Sequence, residues 1–482
     1  MTMRSRARLW GWWAHAALAV ALASPADAFA VLGTPPPVVR TAAALGLSLR
    51  AVSFAVVDLD SGRVVASLNG DTTRSPASTI KLLTTFASLD SLGPAFAWHT
   101  RALVRGELRN GVLDGDLVLQ GGGDPYMTLE RWWSFAHMLR AKGLQAIHGD
   151  IMIDNTAFAL PPEDPGAFDG RPNRTYNVLP DALMVNFQSI EFRVAPNAQI
   201  GKVEIVATPA PVNLAIDNRI GFATGHCLAP AHRVDFEVVS DQWDHVVFAG
   251  ALSAECAERS ITRVLLRPPQ YAFGTFLELW RQLGGEFSGA LRIGAAPQDA
   301  QLYLNFDSLS LGEIVRLTNK FSSNLMARHL LLAMGEERFG PPATTQKGAD
   351  AIALWARERG LDLQGMEIDN GSGLSRTTQI SVLQMSRVLS AAYHSRYAPE
   401  FIASLPLAGF DGTMKLRLQQ TPAGSVRLKT GHLDGVSGVA GYVTTASGKS
   451  FALVSLVNDL RSNAGAGDAV HAALVTWMQE NL

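Results

Sequence analysis

The 482-residue sequence predicts an α/β fold, in which an antiparallel sheet with packed helices is interrupted by a large β-rich insert. Apolar residues make up 47% of the chain and charged residues 17%, a balance typical of globular domains with large cores. Strand and helix patterns occupy both ends, whereas short β-rich runs punctuated by Gly, Pro, Asn and Asp fill the middle. We therefore assign residues 31–100 and 302–482 to one split domain and residues 101–301 to an insert of two nested subdomains.

The N-terminal part of the split domain is predicted to be a hairpin followed by a helix. Residues 52–58 are apolar and rich in β-branched side chains, residues 60–62 form an Asp-Ser-Gly turn, and residues 63–69 continue as a second strand. A helical pattern then begins at Ser78 and ends before Gly93, which is followed by proline.

The insert and the C-terminal part differ in their predicted secondary structure. In the insert we expect a helix at 129–142 and strands at 203–208 and 234–239. Beyond residue 308 the pattern is mostly helical and ends in three strands and a last helix. The helices are expected at 310–320, 324–335, 345–359, 379–393 and 467–480, and the strands at 425–430, 436–445 and 451–458.

Residues 1–28 have the features of an export signal. They contain three early arginines, an apolar run from Leu9 to about Ala23, and small residues at a cleavage position after Ala28. Cleavage after Ala30 is the alternative. A membrane anchor is the other interpretation, but the run is shorter than the ~20 residues that span a bilayer. We therefore predict a periplasmic protein without an integral membrane segment, and leave peripheral membrane association open.

The charge of the chain excludes one class of partner. The formal net charge is −2, and removing residues 1–28 takes away a net +2 and leaves −4. No basic surplus is available for nucleic acid, so we expect no nucleic-acid partner. The sequence does not decide the oligomeric state.

Two cysteines, Cys227 and Cys256, are the only ones in the chain. In an oxidising compartment a disulfide is the natural interpretation. His226 and His232 lie close to Cys227 in sequence, so zinc is an alternative, but the close ligand pairs of a structural zinc site are absent. Two inert thiols are the third possibility. We predict no metal and no cofactor.

Three short motifs occur in order and carry the chemistry: Ser78-x-x-Lys81, Ser322-x-Asn324, and Lys429-Thr430-Gly431. Each is weak alone, because a surface lysine or a helix-capping serine would look the same. Together and in this order they are the signature of penicillin-binding proteins and serine β-lactamases.

The residue types suit nucleophilic catalysis. Lys81 is one helical turn after Ser78, so its amine can reach the hydroxyl and, if its pKa is lowered, remove the proton. Ser322 would relay a proton to the leaving amine, and Asn324 would hold a substrate amide. Backbone N–H groups of Ser78 and His432 would form an oxyanion hole.

The substrate would be held by the third motif. Lys429 and Thr430 are placed on an edge strand, from which they would bind a substrate carboxylate, and Gly431 follows them in the same strand.

With these motifs and several longer segments, the chain resembles the class C low-molecular-mass penicillin-binding proteins, the D-alanyl-D-alanine carboxypeptidase/endopeptidase family. The resemblance covers nearly the whole mature chain. The segments that carry it are residues 58–62, 75–84, 121–125, 149–154, 313–315, 319–320, 370–376 (NGSGLSR) and 429–442.

The resemblance implies a transpeptidase-type domain that cleaves peptidoglycan peptides through an acyl-enzyme and is inhibited covalently by β-lactams. It also implies that Asp154 and Arg376 help to bind the free end of the diamino acid in the peptide. Asp154 could equally end a strand, and Arg376 could form a structural ion pair.

Three positions depart from the family pattern. Ser323 stands where Asp is usual, Arg328 where Glu is usual, and His432 where Ser or Thr is common. His432 puts one carboxylate contact in doubt, and with it the balance between carboxypeptidase and endopeptidase action.

Three rival functions stay open. A serine β-lactamase would share the motifs but is normally smaller. A catalytically inactive peptidoglycan-binding module would not need the complete Ser-Lys-Ser-Asn-Lys set. A general esterase would carry a G-x-S-x-G elbow after a buried strand, which this chain lacks.

Overall fold

The computed structural model describes residues 33–228 and 231–482, so the predicted export signal lies outside the described residues. The N-terminal segment forms a helix, a hairpin, a short strand and a second helix. These elements are α1 (Pro36–Ala44), β1 (Val52–Asp58), β2 (Val64–Leu68), β3 (Thr73–Arg74) and α2 (Lys81–Leu92).

The middle of the chain is rich in strands and contains two longer helices. In chain order its elements are β4 (His99–Arg109), β5 (Val112–Gln120), α3 (Leu129–Ala141), β6 (Ala146–Ile147), β7 (Ile151–Asp154), β8 (Ser189–Asn197), β9 (Lys202–Thr208), β10 (Ala215–Asn218), β11 (Gly221–Ala223), β12 (Val234–Val238), β13 (His245–Ser253), β14 (Arg259–Val264), α4 (Pro268–Gln282), β15 (Glu286–Phe287), β16 (Leu291–Ile293) and β17 (Gln301–Asp307).

The C-terminal segment is a helical block followed by three strands and a helix. Its elements are α5 (Leu311–Phe321), α6 (Asn324–Phe339), α7 (Thr345–Glu358), β18 (Ile380–Ser381), α8 (Val382–Tyr393), α9 (Ala398–Ser404), β19 (Val426–Leu433), β20 (Val436–Thr444), β21 (Ser450–Asn458) and α10 (Ala466–Asn481).

A five-stranded antiparallel sheet joins both ends of the chain, in the order β19-β20-β21-β1-β2. Its central strands are buried on both faces, because side chains alternate between two helical layers. Phe54 and Leu453 belong to the core beneath α1 and α10, whereas Ala55 and Val454 belong to the core beneath α2 and α8. The predicted α/β class is confirmed.

The insert has sheets and a core of its own. A seven-stranded sheet contains β4, β5 and β17, and smaller sheets of three and four strands are centred on β8 and β13. One apolar cluster runs through them and includes Trp132 and Phe135 of α3 and Phe276 and Trp280 of α4. Because β4 and β17 pair with each other, we propose that the insert extends to residues 99–307, slightly beyond the predicted 101–301.

Most of the predicted helices and strands agree with the structure. One helix begins later than predicted, for a physical reason. The helix expected at 379–393 begins only at Val382. Ile380 and Ser381 pair with β3 instead, and Ser381 then caps α8 through a capping box with Gln384. No described helix has the length and apolar character needed to cross a membrane.

Cys227 and Cys256 are joined by a disulfide in the structure, close to His232.

We predict that the Cys227→Ser/Cys256→Ser variant loses about 3 kcal/mol of unfolding free energy, because the bond closes a loop of 29 residues and restricts the unfolded chain. Urea denaturation with and without dithiothreitol measures this loss. Two free thiols in the purified protein, with unfolding by a zinc chelator, would favour the zinc interpretation instead.

Candidate active site

Ser78 lies in a tight turn between β3 and α2, within the 3₁₀ turn Ala77–Ile80. The preceding residue, Ala77, has a positive φ of 46°, which is unusual for a residue with a Cβ atom. This left-handed backbone conformation costs energy in a residue other than glycine, and it persists only where surrounding contacts hold it. The Ser78 side chain is half-buried beside α2.

The Lys81 side chain is completely buried, and its amine contacts three oxygen atoms. Nζ is 2.9 Å from Ser78 Oγ and 2.8 Å from Asn324 Oδ1, and it also donates to the backbone carbonyl of Ser372. Burial, and secondly the charge of Lys429, hold the pKa of Lys81 well below its ordinary value. A neutral amine has two protons to donate, one to Asn324 and one to Ser372, so its lone pair can face the hydroxyl of Ser78.

Ser322 and Asn324 lie in the turn between α5 and α6, where the sequence predicted them. Ser322 ends α5 in the left-handed conformation, with a φ of 59°. Ser323 caps α6 by accepting from the backbone N–H of Met326, so a serine in place of the usual Asp still performs the capping. Asn324 is the first residue of α6 and faces Lys81.

Lys429 is also completely buried, on the edge strand β19. Its Nζ is 2.8 Å from Ser322 Oγ and 2.7 Å from the carbonyl oxygen of Thr430. Burial lowers the pKa of Lys429 to about 7. The three motifs therefore meet at two lysine–serine pairs, Lys81 with Ser78 and Lys429 with Ser322.

Two glycines let the backbone segments approach each other this closely. A Cβ atom on Gly431 would lie 2.6 Å from the carbonyl oxygen of Pro76 and 3.0 Å from the backbone nitrogen of Ser78. Gly373 has a φ of 79°, and a Cβ there would overlap the carbonyl oxygen of Ala77. Any side chain at either position would push a strand or loop away from the Ser78 turn.

The insert forms one wall of the cavity that opens beside Asn324. This cavity has a volume of about 260 Å³ and is lined from the insert by Glu163, Phe168 and Tyr176. The carbonyl oxygen of Tyr176 accepts a hydrogen bond of 3.0 Å from Asn324 Nδ2. Arg328, the second departure from the family pattern, pairs with Glu163 across the same cavity at 2.8 Å.

Of the two residues carried over for the diamino acid, Arg376 lies in this cavity and Asp154 does not. The guanidinium of Arg376 lies 4.1 Å from the ring centroid of Phe168. Asp154 is 2% exposed at the end of β7. Its carboxylate accepts hydrogen bonds from Gln120, Thr156 and the backbone of Ala296, all within the insert.

Three groups at the site carried no recognisable motif in the sequence. The carbonyl of Ser372 binds Lys81, the carbonyl of Tyr176 binds Asn324, and the hydroxyl of Thr413 lies 2.8 Å from that of Thr430. Backbone carbonyls have no residue signature. Of these three residues, only Ser372 lies in a segment that the sequence had singled out, residues 370–376 (NGSGLSR), which end in Arg376.

The chain is similar to known D-alanyl-D-alanine carboxypeptidases. The chain is 27% identical over 410 residues to the D-alanyl-D-alanine carboxypeptidase DacB of Haemophilus influenzae, covering 84% of this chain and 85% of the relative. It is 28% identical over 432 residues to a D-alanyl-D-alanine carboxypeptidase of Actinomadura sp., covering 83% and 76%.

The crystal structure of penicillin-binding protein 4 (dacB) from Haemophilus influenzae superimposes with a TM-score of 0.75 at 25% identity, covering 89% of this chain and 96% of that chain. The same protein is also known in complex with a β-lactam. Residues 41–481 match the profile of a single family across almost the whole described chain. The chain therefore belongs to the D-Ala-D-Ala carboxypeptidase 3 (S13) family.

Proposed function

We propose that this serine-type D-Ala-D-Ala carboxypeptidase cleaves D-alanyl bonds of peptidoglycan peptides through an acyl-enzyme on Ser78, as both carboxypeptidase and endopeptidase. The observation that carries the proposal is the buried Lys81 amine, 2.9 Å from Ser78 Oγ. The same serine would react with β-lactams, as the β-lactam complex of the Haemophilus influenzae relative supports.

In the first step, neutral Lys81 accepts the Ser78 proton as Oγ attacks the carbonyl carbon of the penultimate D-alanine. The backbone N–H groups of Ser78 and His432 stabilise the negative charge that develops on the carbonyl oxygen. The close approach at Gly431 supports this pairing, because it brings β19 against the backbone of Ser78.

Collapse of the tetrahedral intermediate releases the C-terminal residue as an amine, which needs a proton. Ser322 is suited to relay the proton that Lys81 has taken up, because its hydroxyl accepts from Lys429 Nζ and is free to donate toward the leaving nitrogen. In that relay Ser322 gives its own proton to the leaving amine and takes the Lys81 proton in exchange, which leaves Lys81 neutral again. Water then attacks the ester, with Lys81 as the base, and restores the Ser78 hydroxyl.

The substrate carboxylate would be bound by the charged form of Lys429 and by the Thr430 hydroxyl. Asn324 would hold an amide of the peptide by exchanging its contact with the Tyr176 carbonyl for one with the substrate.

The free end of the diamino acid would be recognised in the cavity between Arg376 and the insert. Arg376 would bind its carboxylate. For its ammonium group, Asp169 is better placed than Asp154, because Asp169 is exposed and accepts hydrogen bonds from Tyr176 and Asn177 beside the cavity. Although its slight burial would raise the pKa of Asp169, those hydrogen bonds lower it overall and keep the carboxylate charged.

The predicted export signal and the cell-wall substrate of the family together support a periplasmic location. We keep this location, and the absence of an integral membrane segment in the mature protein, as part of the proposal.

Fluorescent penicillin should label the wild-type protein covalently and leave Ser78→Ala unlabelled, since the adduct is an ester of that hydroxyl. Lys81→Ala should be labelled at least about 100-fold more slowly, the size of a lost general base. Gel fluorescence and the mass of the adduct measure both. A folded wild-type protein that takes no label would favour the inactive binding module, and rapid hydrolysis of the adduct would favour the β-lactamase.

The pH profile of kcat/KM should be bell-shaped, because Lys81 must be neutral and Lys429 charged. The rising limb follows deprotonation of Lys81, and the falling limb lies near pH 7, where Lys429 loses its proton. In Lys429→Arg the rate should be lower at every pH, but the falling limb should disappear below pH 9, since arginine stays charged. An unchanged falling limb in that variant would assign it to another group.

Arg376→Gln and Asp169→Asn should each lower kcat/KM about tenfold for a stem peptide with diaminopimelate, the cost of one hydrogen bond to a charged group. Arg376→Gln should have little effect on a matched peptide with lysine, which lacks the second carboxylate. Asp154→Asn should lower the melting temperature and preserve the preference. A lost preference in Asp154→Asn at unchanged melting temperature would restore the role carried over from the family.

A further inference from the structure

The ion pair of Arg328 with Glu163 lies where the cavity beside Asn324 meets a second cavity. The second cavity has a volume of about 570 Å³ and is lined by the insert and by Pro342. The two cavities share four residues of the insert, which are Glu163, Pro165, Val178 and Leu179. A peptide that extends from the smaller cavity into the larger one therefore passes the ion pair.

The smaller cavity has room for the free end of a diamino acid but not for a longer peptide. Its volume of about 260 Å³ is below the roughly 300–1,000 Å³ of cavities that enclose a whole small molecule. In the proposed function Arg376 and Asp169 bind that free end. The part of the stem peptide that precedes the diamino acid needs further room, and the adjoining cavity provides it.

Arg328 has hydrogen-bond donors to spare for a ligand at this junction. It lies on the same face of α6 as Asn324, one helical turn farther along. Its guanidinium donates to Glu163 Oε2 at 2.8 Å, and among the described residues it has no second hydrogen-bond partner. A guanidinium has five N–H groups and binds a carboxylate through two of them. The Arg328 side chain is 16% exposed, so water screens its charge weakly.

The charges of the cavity leave Arg328 for a second substrate carboxylate. Among the described residues that line the smaller cavity, Arg328 and Arg376 carry the positive charges. Arg376 is assigned to the carboxylate at the free end of the diamino acid. The stem peptide offers another, because the glutamate before the diamino acid is linked through its side chain and keeps its α-carboxylate. The glutamate usual at position 328 would repel this group, whereas arginine attracts it.

We infer that Arg328 determines specificity for an acidic residue before the diamino acid, and that it binds the α-carboxylate of this residue while Glu163 holds the guanidinium in place. The inference rests on the proposed function. It deepens that function by extending the recognised part of the peptide one residue toward its N-terminus.

The test compares two N-acetylated peptides of the sequence γ-D-Glu-diaminopimelyl-D-Ala-D-Ala, one with the glutamate α-carboxylate free and one with it amidated. The wild type should cleave the free acid with a kcat/KM about tenfold higher, the effect of a hydrogen bond between charged groups. Arg328→Gln should lose about tenfold on the acid and less than about twofold on the amide. Release of D-alanine measures the four rates.

Glu163→Gln should change the acid-to-amide ratio in the opposite direction. The carboxylate of Glu163 repels that of the substrate and competes for the same guanidinium, so its removal should raise the ratio about threefold. An ion pair that only joins α6 to the insert would behave differently, because both variants would then lower kcat/KM equally on both peptides. That result would overturn the inference.

Arg338→Gln is the matched control, because Arg338 also belongs to α6 and forms an ion pair, with Glu358 of α7, outside both cavities. It should leave the ratio unchanged. If Arg328→Gln fails to fold, Glu163→Gln decides alone, and a ratio that does not rise overturns the inference. Equal cleavage of both peptides by a wild-type protein that penicillin labels would also overturn it. A wild-type protein that penicillin does not label would instead overturn the proposed function.

Discussion

The proposed catalytic centre depends on keeping two lysine amines fully buried beside two serine hydroxyls. Removing an ammonium group from water is so costly that it loses its proton or finds several acceptors. For Lys81 and Lys429, burial lowers the pKa of each, and oxygen atoms surround each amine. Burial of Lys81 therefore supplies the neutral amine that the proposed mechanism needs as its base.

The acceptors for these amines come from segments far apart in the chain. Lys81 is held by Asn324 of α6 and by the loop carbonyl of Ser372, and Lys429 is held by the serine that ends α5. Glycines at 373 and 431 remove the side chains that would separate those segments. Asn324 and Ser322 thus have a structural task beside their proposed roles toward the substrate, since each is the partner of a buried lysine from another motif.

The sequence predicted what its local patterns encode. Short apolar runs rich in β-branched residues located the strands of the central sheet. Helical patterns with their stop signals located the helices, and with them the turn between α5 and α6 that holds Ser322. It did not predict Tyr176 or Thr413, because a backbone carbonyl and a lone hydroxyl in a loop have no periodic signature. Asp154 was carried over from a matching segment; its carboxylate accepts hydrogen bonds within the insert, and its role toward the substrate stays a prediction.

The insert forms part of the proposed substrate cavity. It contributes the Tyr176 carbonyl and Glu163, which forms an ion pair with Arg328 of α6. Without Glu163 on the opposite wall, arginine in place of the usual glutamate at position 328 would leave an unpaired positive charge facing the cavity. Arg328 and Glu163 lie in distant parts of the sequence, and substitutions of the two are expected to be non-additive because they share this ion pair.

The pairing of β1 with β21 has a consequence for how the protein folds. The hydrogen bond of Ser75 with Asn458 joins residues 383 positions apart, and it lies just before the catalytic turn. Contacts of such sequence separation form late, because the entropy of closing a long loop must be overcome first. The insert, with its own core, can fold while the sheet is still open, but the nucleophile cannot be activated until the last strand has arrived. A chain truncated before β19 would therefore carry Ser78 as an ordinary, unreactive serine.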